Sequence, residues 1–172
     1  MKTQKMIRVT AEKCLACKSC EVACAVAHSQ TKSLFTAIKE EPLPMARIQV
    51  EGDNEFCLPI QCRHCEDAPC VKVCPTKAIY KPTPQSPVIM NKELCIGCKW
   101  CIMVCPFGVI QLDRSGKTVT RCDLCLERTE KGEEPACVDA CPTGALEFIP
   151  IDEIAKKKRE KVLIDYRAGV EI

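Results

Sequence analysis

Cys95-Ile96-Gly97-Cys98-Lys99-Trp100-Cys101-Ile102-Met103-Val104-Cys105-Pro106 sets three cysteines at two-residue gaps and a fourth after three residues. Thiolates at that spacing suit a [4Fe–4S] cubane, which needs one sulfur ligand per iron. The short gaps let a tight loop wrap three sulfurs round one cluster face, while the fourth follows a short turn and points away. Zinc sites use paired C-x2-C knuckles and leave such a four-membered run unexplained. Three variants of the run stand elsewhere: Cys14, Cys17, Cys20 and Cys24; Cys62, Cys65, Cys70 and Cys74; and Cys122, Cys125, Cys137 and Cys141. A proline follows each run except the first, where Ala25 takes its place. All but Cys57 of the 17 cysteines therefore fall in runs, enough for four [4Fe–4S] clusters.

Where two such runs lie together, the fourth cysteine of each ligates the cluster of the other. Every cluster is then held three-plus-one, which ties distant loops together and sets the distance between clusters. Two pairings satisfy this rule. The second run can pair with the third while the first and fourth close over them, or the first can pair with the second and the third with the fourth.

The elements that must position these loops are short. Ile7–Thr10 reads as a strand entering the first run, and Lys18–His28, rich in Ala and Val, as a helix. Residues 29–45 read as an irregular excursion. Ala46–Val50 and Glu55–Pro59 look like a hairpin turned at Gly52-Asp53-Asn54. Ala78–Tyr80 and Pro87–Met90 suggest two strands joined by the stiff, proline-rich Lys81–Ser86. A second hairpin is expected from Val109–Asp113 and Lys117–Thr120, turned at Ser115-Gly116, and a helical turn or two from Leu126–Lys131 before Gly132. Short β segments beside every run predict an α+β chain built on a duplicated βαβ unit. The tail from Ile151 lies outside that repeat, and Ile151–Val162 reads as a helix, acidic first and basic later, which suits the helix dipole.

Composition narrows the function classes. A chain of 172 residues holds one domain or two small ones. Cysteine at this density would suit a secreted disulfide scaffold, but the grouping into runs and an N-terminus without an apolar signal core point to a reducing interior. No apolar run approaches a membrane span, and a net charge of +2 makes no electrostatic case for nucleic acid. Aromatics are only 4%, so bound clusters must supply the centre that an ordinary core would have. There is no nucleotide-binding glycine loop, no nucleophile–base set and no C-x3-C-x2-C radical run. Iron fully coordinated by cysteine leaves no open position for substrate, so the expected protein is not an enzyme but a carrier of single electrons. The rival reading is a zinc-binding structural or regulatory protein.

The chain from about residue 7 to 150 resembles the four-cluster ferredoxin-like subunits of the dimethyl sulfoxide reductase and formate dehydrogenase class. Similar subunits serve hydrogenases, carbon monoxide dehydrogenase and tungsten aldehyde oxidoreductase. The most specific segments are Cys62-Arg63-His64-Cys65-Glu66-Asp67-Ala68-Pro69-Cys70, Cys95-Ile96-Gly97-Cys98, Arg121-Cys122-Asp123-Leu124-Cys125, Glu134-Pro135-Ala136-Cys137 and Ala140-Cys141-Pro142-Thr143-Gly144-Ala145. The resemblance implies the nested pairing. Cys62, Cys65 and Cys70 with Cys105 would hold one cluster, and Cys95, Cys98 and Cys101 with Cys74 its partner. Cys14, Cys17 and Cys20 with Cys141 would hold a third, and Cys122, Cys125 and Cys137 with Cys24 the last.

Two pseudo-symmetric bacterial 2[4Fe–4S] ferredoxin-like modules are implied. Residues 1–28 with 114–150 form an outer module, 58–113 an inner one, 29–57 an insertion with a hairpin, and 151–172 a helical tail for subunit contact. The expected partner is a catalytic redox subunit, in a cytoplasmic complex or in a periplasmic one reached by co-export. A wire with exits at both ends could also stack on copies of itself as a filament. Some relatives replace a third-run cysteine, often by tryptophan, and hold a three-iron centre. Trp100 is not such a replacement, since Cys98 and Cys101 flank it.

Four other residues carry expectations. His64, inside a complete run, reads as a polar neighbour or an exposed side chain rather than a ligand. His28 reads as structural and without a partner. Cys57 reads as a packed thiol, and Trp100 as a ring shielding its cluster from water. Lys99 reads either as a solvated lysine or as a cation that would raise the potential of that cluster by stabilising its reduced form. The Lys156–Lys161 run reads as a solvated helix face.

Overall fold

Short gaps between cysteines leave room only for short elements, and the chain is built of them. The computed structural model describes residues 4–53 and 55–168. In order they form β1 (Lys5–Val9), α1 (Ser19–Ala27), α2 (Leu34–Ala37), β2 (Ile48–Gly52), β3 (Cys57–Gln61), α3 (Pro69–Lys72), β4 (Ile79–Tyr80) and β5 (Ile89–Met90). There follow α4 (Trp100–Val104), β6 (Gln111–Leu112), β7 (Val119–Thr120), α5 (Leu126–Thr129), α6 (Ala136–Asp139), β8 (Leu146–Pro150) and α7 (Ile151–Arg167). The architecture is mixed α+β, with four separate two-stranded antiparallel sheets.

Proline decides how the chain leaves a run. The residue before proline is pushed out of the helical region, so α4 ends at Val104 and Cys105, before Pro106, is extended (φ −74, ψ 112). With Ala25 after Cys24 nothing stops α1, which carries Cys20 and Cys24 four residues apart on one buried face.

The sheets cross the sequence in a definite way. β1 pairs with β8, from Lys5 opposite Pro150 to Val9 opposite Leu146, so the two ends of the cysteine region close on each other. β4 pairs with β5 between the second and third runs, while the hairpins β2–β3 and β6–β7 each lead into the next run. Two buried clusters result. One gathers Ile7, Cys20, Cys24, Ile48, Val50, Leu124, Cys137, Val138 and Leu146. The other gathers Ala68, Cys70, Ile79, Val88, Cys101, Ile110 and Val119. We call these the outer and inner cores.

Several boundaries differ from expectation. The first hairpin is shifted by about two residues towards the C-terminus at its start, because Gln61 and Ile48, both buried, pair across it; the expected turn residue Asn54 lies outside the described residues. Residues 29–45 contain a helical turn, α2, that buries Ala37. The tail helix runs past Val162 to Arg167 with no buried residue. It is held to the body by Lys157 to Glu147 at 2.7 Å and Lys161 to Glu12 at 3.3 Å. No helix among the described residues is long and apolar enough to cross a membrane.

Candidate metal centres

Each run opens on a left-handed residue at the same place. Ala16, His64, Gly97 and Leu124, each two after the first cysteine of its run, have φ of 52°, 48°, 68° and 60°. A left-handed residue in such a loop turns successive backbone N–H groups into a concavity that suits an anion. His64 N–H reaches Cys62 Sγ at 3.3 Å and Leu124 N–H reaches Cys122 Sγ at 3.5 Å. At Gly97 no other residue fits, since a Cβ there would lie 2.2 Å from the Lys117 carbonyl oxygen.

Two small hollows are each lined by sulfurs from two different runs. Cys74, Cys95, Cys98 and Cys101 line one small hollow, floored by Ile79 and Val119. Cys14, Cys17, Cys20 and Cys141 line another, floored by Val50 and Leu146. Burial pushes the Cys70 thiol up, with Arg121 opposing and its neighbours Cys62, Cys105 and Cys65 adding to the rise. Burial likewise raises Cys122 well above the usual thiol range, with the Leu124 N–H opposing and Cys137 and Cys24 adding. Cys20 and Cys101, both buried, are each pushed up to about 11. Thiols held so high need a cation or metal to ionise them, which bound iron would supply.

The fourth cysteines of two runs are treated oppositely. Burial raises Cys74, but the N–H groups of Ile79, Ala78 and Thr76 and the Thr76 hydroxyl outweigh it and hold the thiol below its ordinary value. Cys141 is lowered in the same way, against burial, by Leu146, Thr143 and Ala145. The turns after Cys74-Pro75 and Cys141-Pro142 wrap their own N–H groups back onto the sulfur. Soft thiolate donors, apolar walls and backbone N–H groups aimed at sulfur together fit [4Fe–4S] clusters.

Other expected residues fall as follows. His64 is a neighbour of this chemistry and not exposed: it is 3% accessible, and Nδ1 accepts from the Val88 N–H at 3.1 Å. Burial, reinforced by Arg121, draws its pKa down to about 3, so the ring is neutral. His28 does have partners, contrary to expectation. Its Nδ1 donates to the Cys24 carbonyl at 2.7 Å and its Nε2 to Asp123 Oδ1 at 3.1 Å. Burial disfavours the charged ring, yet hydrogen bonds to Asp123, Cys125 and Cys24 push it up to about 11. Asp123 also pairs with Arg47. These two contacts overcome burial and hold its carboxyl well below the usual range.

Cys57 is a packed thiol that donates to the Cys14 carbonyl at 3.2 Å. Trp100 does not shield by being buried. It is 58% exposed, in company with exposed Ile96, Met103 and Phe107. Lys99 is the left-handed residue preceding α4, as Lys18 is before α1.

Sequence reasoning missed Arg47, whose N–H donates to Cys24 Sγ at 3.2 Å, and Arg121, whose Nη2 donates to Cys62 Sγ at 2.6 Å. Only its place directly before Cys122 marked Arg121 out, and nothing in sequence spacing marked Arg47.

Two family descriptions match the chain: a 4Fe-4S dicluster domain over residues 54–150 and a 4Fe-4S binding domain over residues 11–27. The chain belongs to the family of ferredoxin-like iron–sulfur electron-transfer proteins that includes the iron–sulfur subunit of anaerobic dimethyl sulfoxide reductase. It is 42% identical to that subunit from Haemophilus influenzae, over 85% of this chain and 74% of the other. The Escherichia coli subunit is 37% identical, over 91% of this chain and 78% of its own length. A Rhodospirillum rubrum protein named "Iron-sulfur protein" is 41% identical, over 93% and 90% of the two chains. The cofactors are [4Fe–4S] clusters, and the cysteine complement fits four.

Proposed function

We propose that the protein is the electron wire of a redox complex, with four [4Fe–4S] clusters in line between a catalytic subunit and a second redox partner. The observation that carries the reading is a pair of hollows, each lined by three cysteines of one run and one of another. Nested ligation, with the ligand sets that the family resemblance implies, is the arrangement that these hollows support. The sets containing Cys17 and Cys98, the two exposed cysteines, form the ends of the line. The sets holding Cys62 and Cys122 form its middle, adjoining at Arg121.

Bound clusters would supply one-electron chemistry. The chain's part is to fix their spacing, exclude water with Ile79, Val119, Val50 and Leu146, and aim N–H dipoles at sulfur. The relatives named for dimethyl sulfoxide reductase make a reductase the first candidate for the catalytic partner. Formate dehydrogenase, hydrogenase, carbon monoxide dehydrogenase and aldehyde oxidoreductase types would present the same requirement. The exposed Leu163, Ile164 and Tyr166 of α7 offer such a partner an apolar contact outside the cluster region. Stacking of copies end to end uses the same two exits.

Anaerobic purification with whatever accompanies the chain tests this. The expected result is about sixteen irons and about sixteen acid-labile sulfides per chain, a brown colour that bleaches on reduction, and a co-purifying oxidoreductase. Stoichiometric zinc without sulfide would overturn it in favour of a structural or regulatory metal protein. Native mass measurement of the intact complex decides between one copy and a stack.

A further inference from the structure

Arg121 is 3% exposed, yet no carboxylate pairs with it among the described residues. Asp123, two residues on, is taken by Arg47 and His28. Among the described residues the one side-chain hydrogen bond of Arg121 runs from Nη2 to Cys62 Sγ at 2.6 Å, and its Nε and Nη1 are buried without a partner there. A guanidinium withdrawn from water without a counter-charge is costly, and natural proteins keep one only where an anion meets it. The anion within reach is sulfur. A cluster bound by four thiolates is anionic in both redox states and more so when reduced.

The second observation is placement. Arg121 directly precedes Cys122, the first cysteine of the fourth run, and its side chain reaches across to the first cysteine of the second run. It therefore stands between the outer and inner cores, where the two middle cysteine sets adjoin. We infer that Arg121 is a positioning residue for electron transfer: its buried guanidinium is the fixed counter-charge of the cluster held through Cys62, and it keeps that cluster easier to reduce than its own loop would. The inference rests on the ligand sets proposed above. A hydrogen bond to a ligating sulfur and a nearby cation both favour the reduced form. The step concerned would be a one-electron transfer between the two middle clusters, in which the guanidinium's part would be electrostatic.

The test uses the intact complex, purified anaerobically, and two variants. Arg121→Met removes the charge and the fork at similar length, while Arg121→Lys keeps the charge. Iron and sulfide are counted first, then each cluster is titrated potentiometrically and followed by electron paramagnetic resonance. In R121M the largest shift is expected in a single cluster, whose reduced-to-oxidised ratio at fixed potential falls at least tenfold, about 59 mV for one electron. The other clusters move less than threefold, and in R121K that cluster stays within threefold of the parent. Potentials unmoved in R121M, or several clusters moving equally, would overturn the inference.

If R121M cannot hold its iron, R121K decides. A potential held within threefold supports the inference, and a fall of tenfold or more overturns it. Failure of the ligand reading is separable. Then the parent complex itself lacks the expected iron, or Cys62→Ser leaves all four titrations unchanged.

Discussion

The outer core takes β1 and β8 from opposite ends of the cysteine region and pairs them over five residues, whereas the inner core pairs β4 with β5 over two. The outer core also has α1, nine residues long, against the four and five of α3 and α4 in the inner one. Loop closure explains the contrast. Bringing distant segments together costs more chain entropy than joining neighbours, and the outer core offsets it with longer ladders and a full helix. The inner core closes over a short stretch and manages with little regular structure. Both interiors are crowded with cysteine, so both would lean on bound metal, the inner core more because its ladder and helices are shorter.

Removing iron with an anaerobic chelator should have the largest effect. We expect cooperative unfolding to be lost, with amide protection disappearing from α3 and α4 before it disappears from the β1–β8 ladder. Simultaneous loss in hydrogen exchange would break the contrast between the cores, and an apoprotein still unfolding cooperatively would remove its basis.

Equivalent apolar residues sharpen it next. Ile79 and Leu146 each stand five residues after the last cysteine of a run, and each is 2% exposed. Truncation to alanine should cost about 2–5 kcal/mol at either site. Ile79→Ala should lose more iron, because fewer backbone hydrogen bonds back the inner core. Equal iron loss would contradict the difference in scaffold support.

A smaller effect compares two loops. Gly97→Ala places a Cβ 2.2 Å from the Lys117 carbonyl oxygen at φ +68 and should lower both the unfolding midpoint and the iron content. Ala16→Gly, at φ 52 in the matching position of the first run, should raise or hold the midpoint, because a left-handed alanine costs roughly 1–2 kcal/mol. The smallest change is expected from Arg8→Ala, which removes a half-buried 2.8 Å pair with Glu147 across β1 and β8. About 1 kcal/mol or less should be lost in chemical denaturation.

Much of this was legible in the sequence because cysteine spacing is itself chemistry. The runs, the α+β class, helix Ser19–Ala27 and the short strands beside each run all follow from local pattern. The β1–β8 pairing was not legible, since no local signal says which distant strand will meet Lys5–Val9. Strand edges near the first hairpin slipped because β-propensity at Ala46 and Glu55 says less than the burial of Ile48 and Gln61. The contacts of Arg121, Arg47 and His28 are tertiary. Arg121 is buried and Arg47 and His28 partly so through contacts with residues distant in sequence, which no local pattern announces.

The most direct test of nested ligation compares three cysteine-to-serine variants by electron paramagnetic resonance and iron content. Cys105 lies in the third run but is assigned to the cluster of Cys62, Cys65 and Cys70. Nested ligation predicts that Cys105→Ser reproduces the altered spectrum of Cys65→Ser and leaves intact the signal lost in Cys98→Ser. A Cys105→Ser spectrum that matches Cys98→Ser would contradict it.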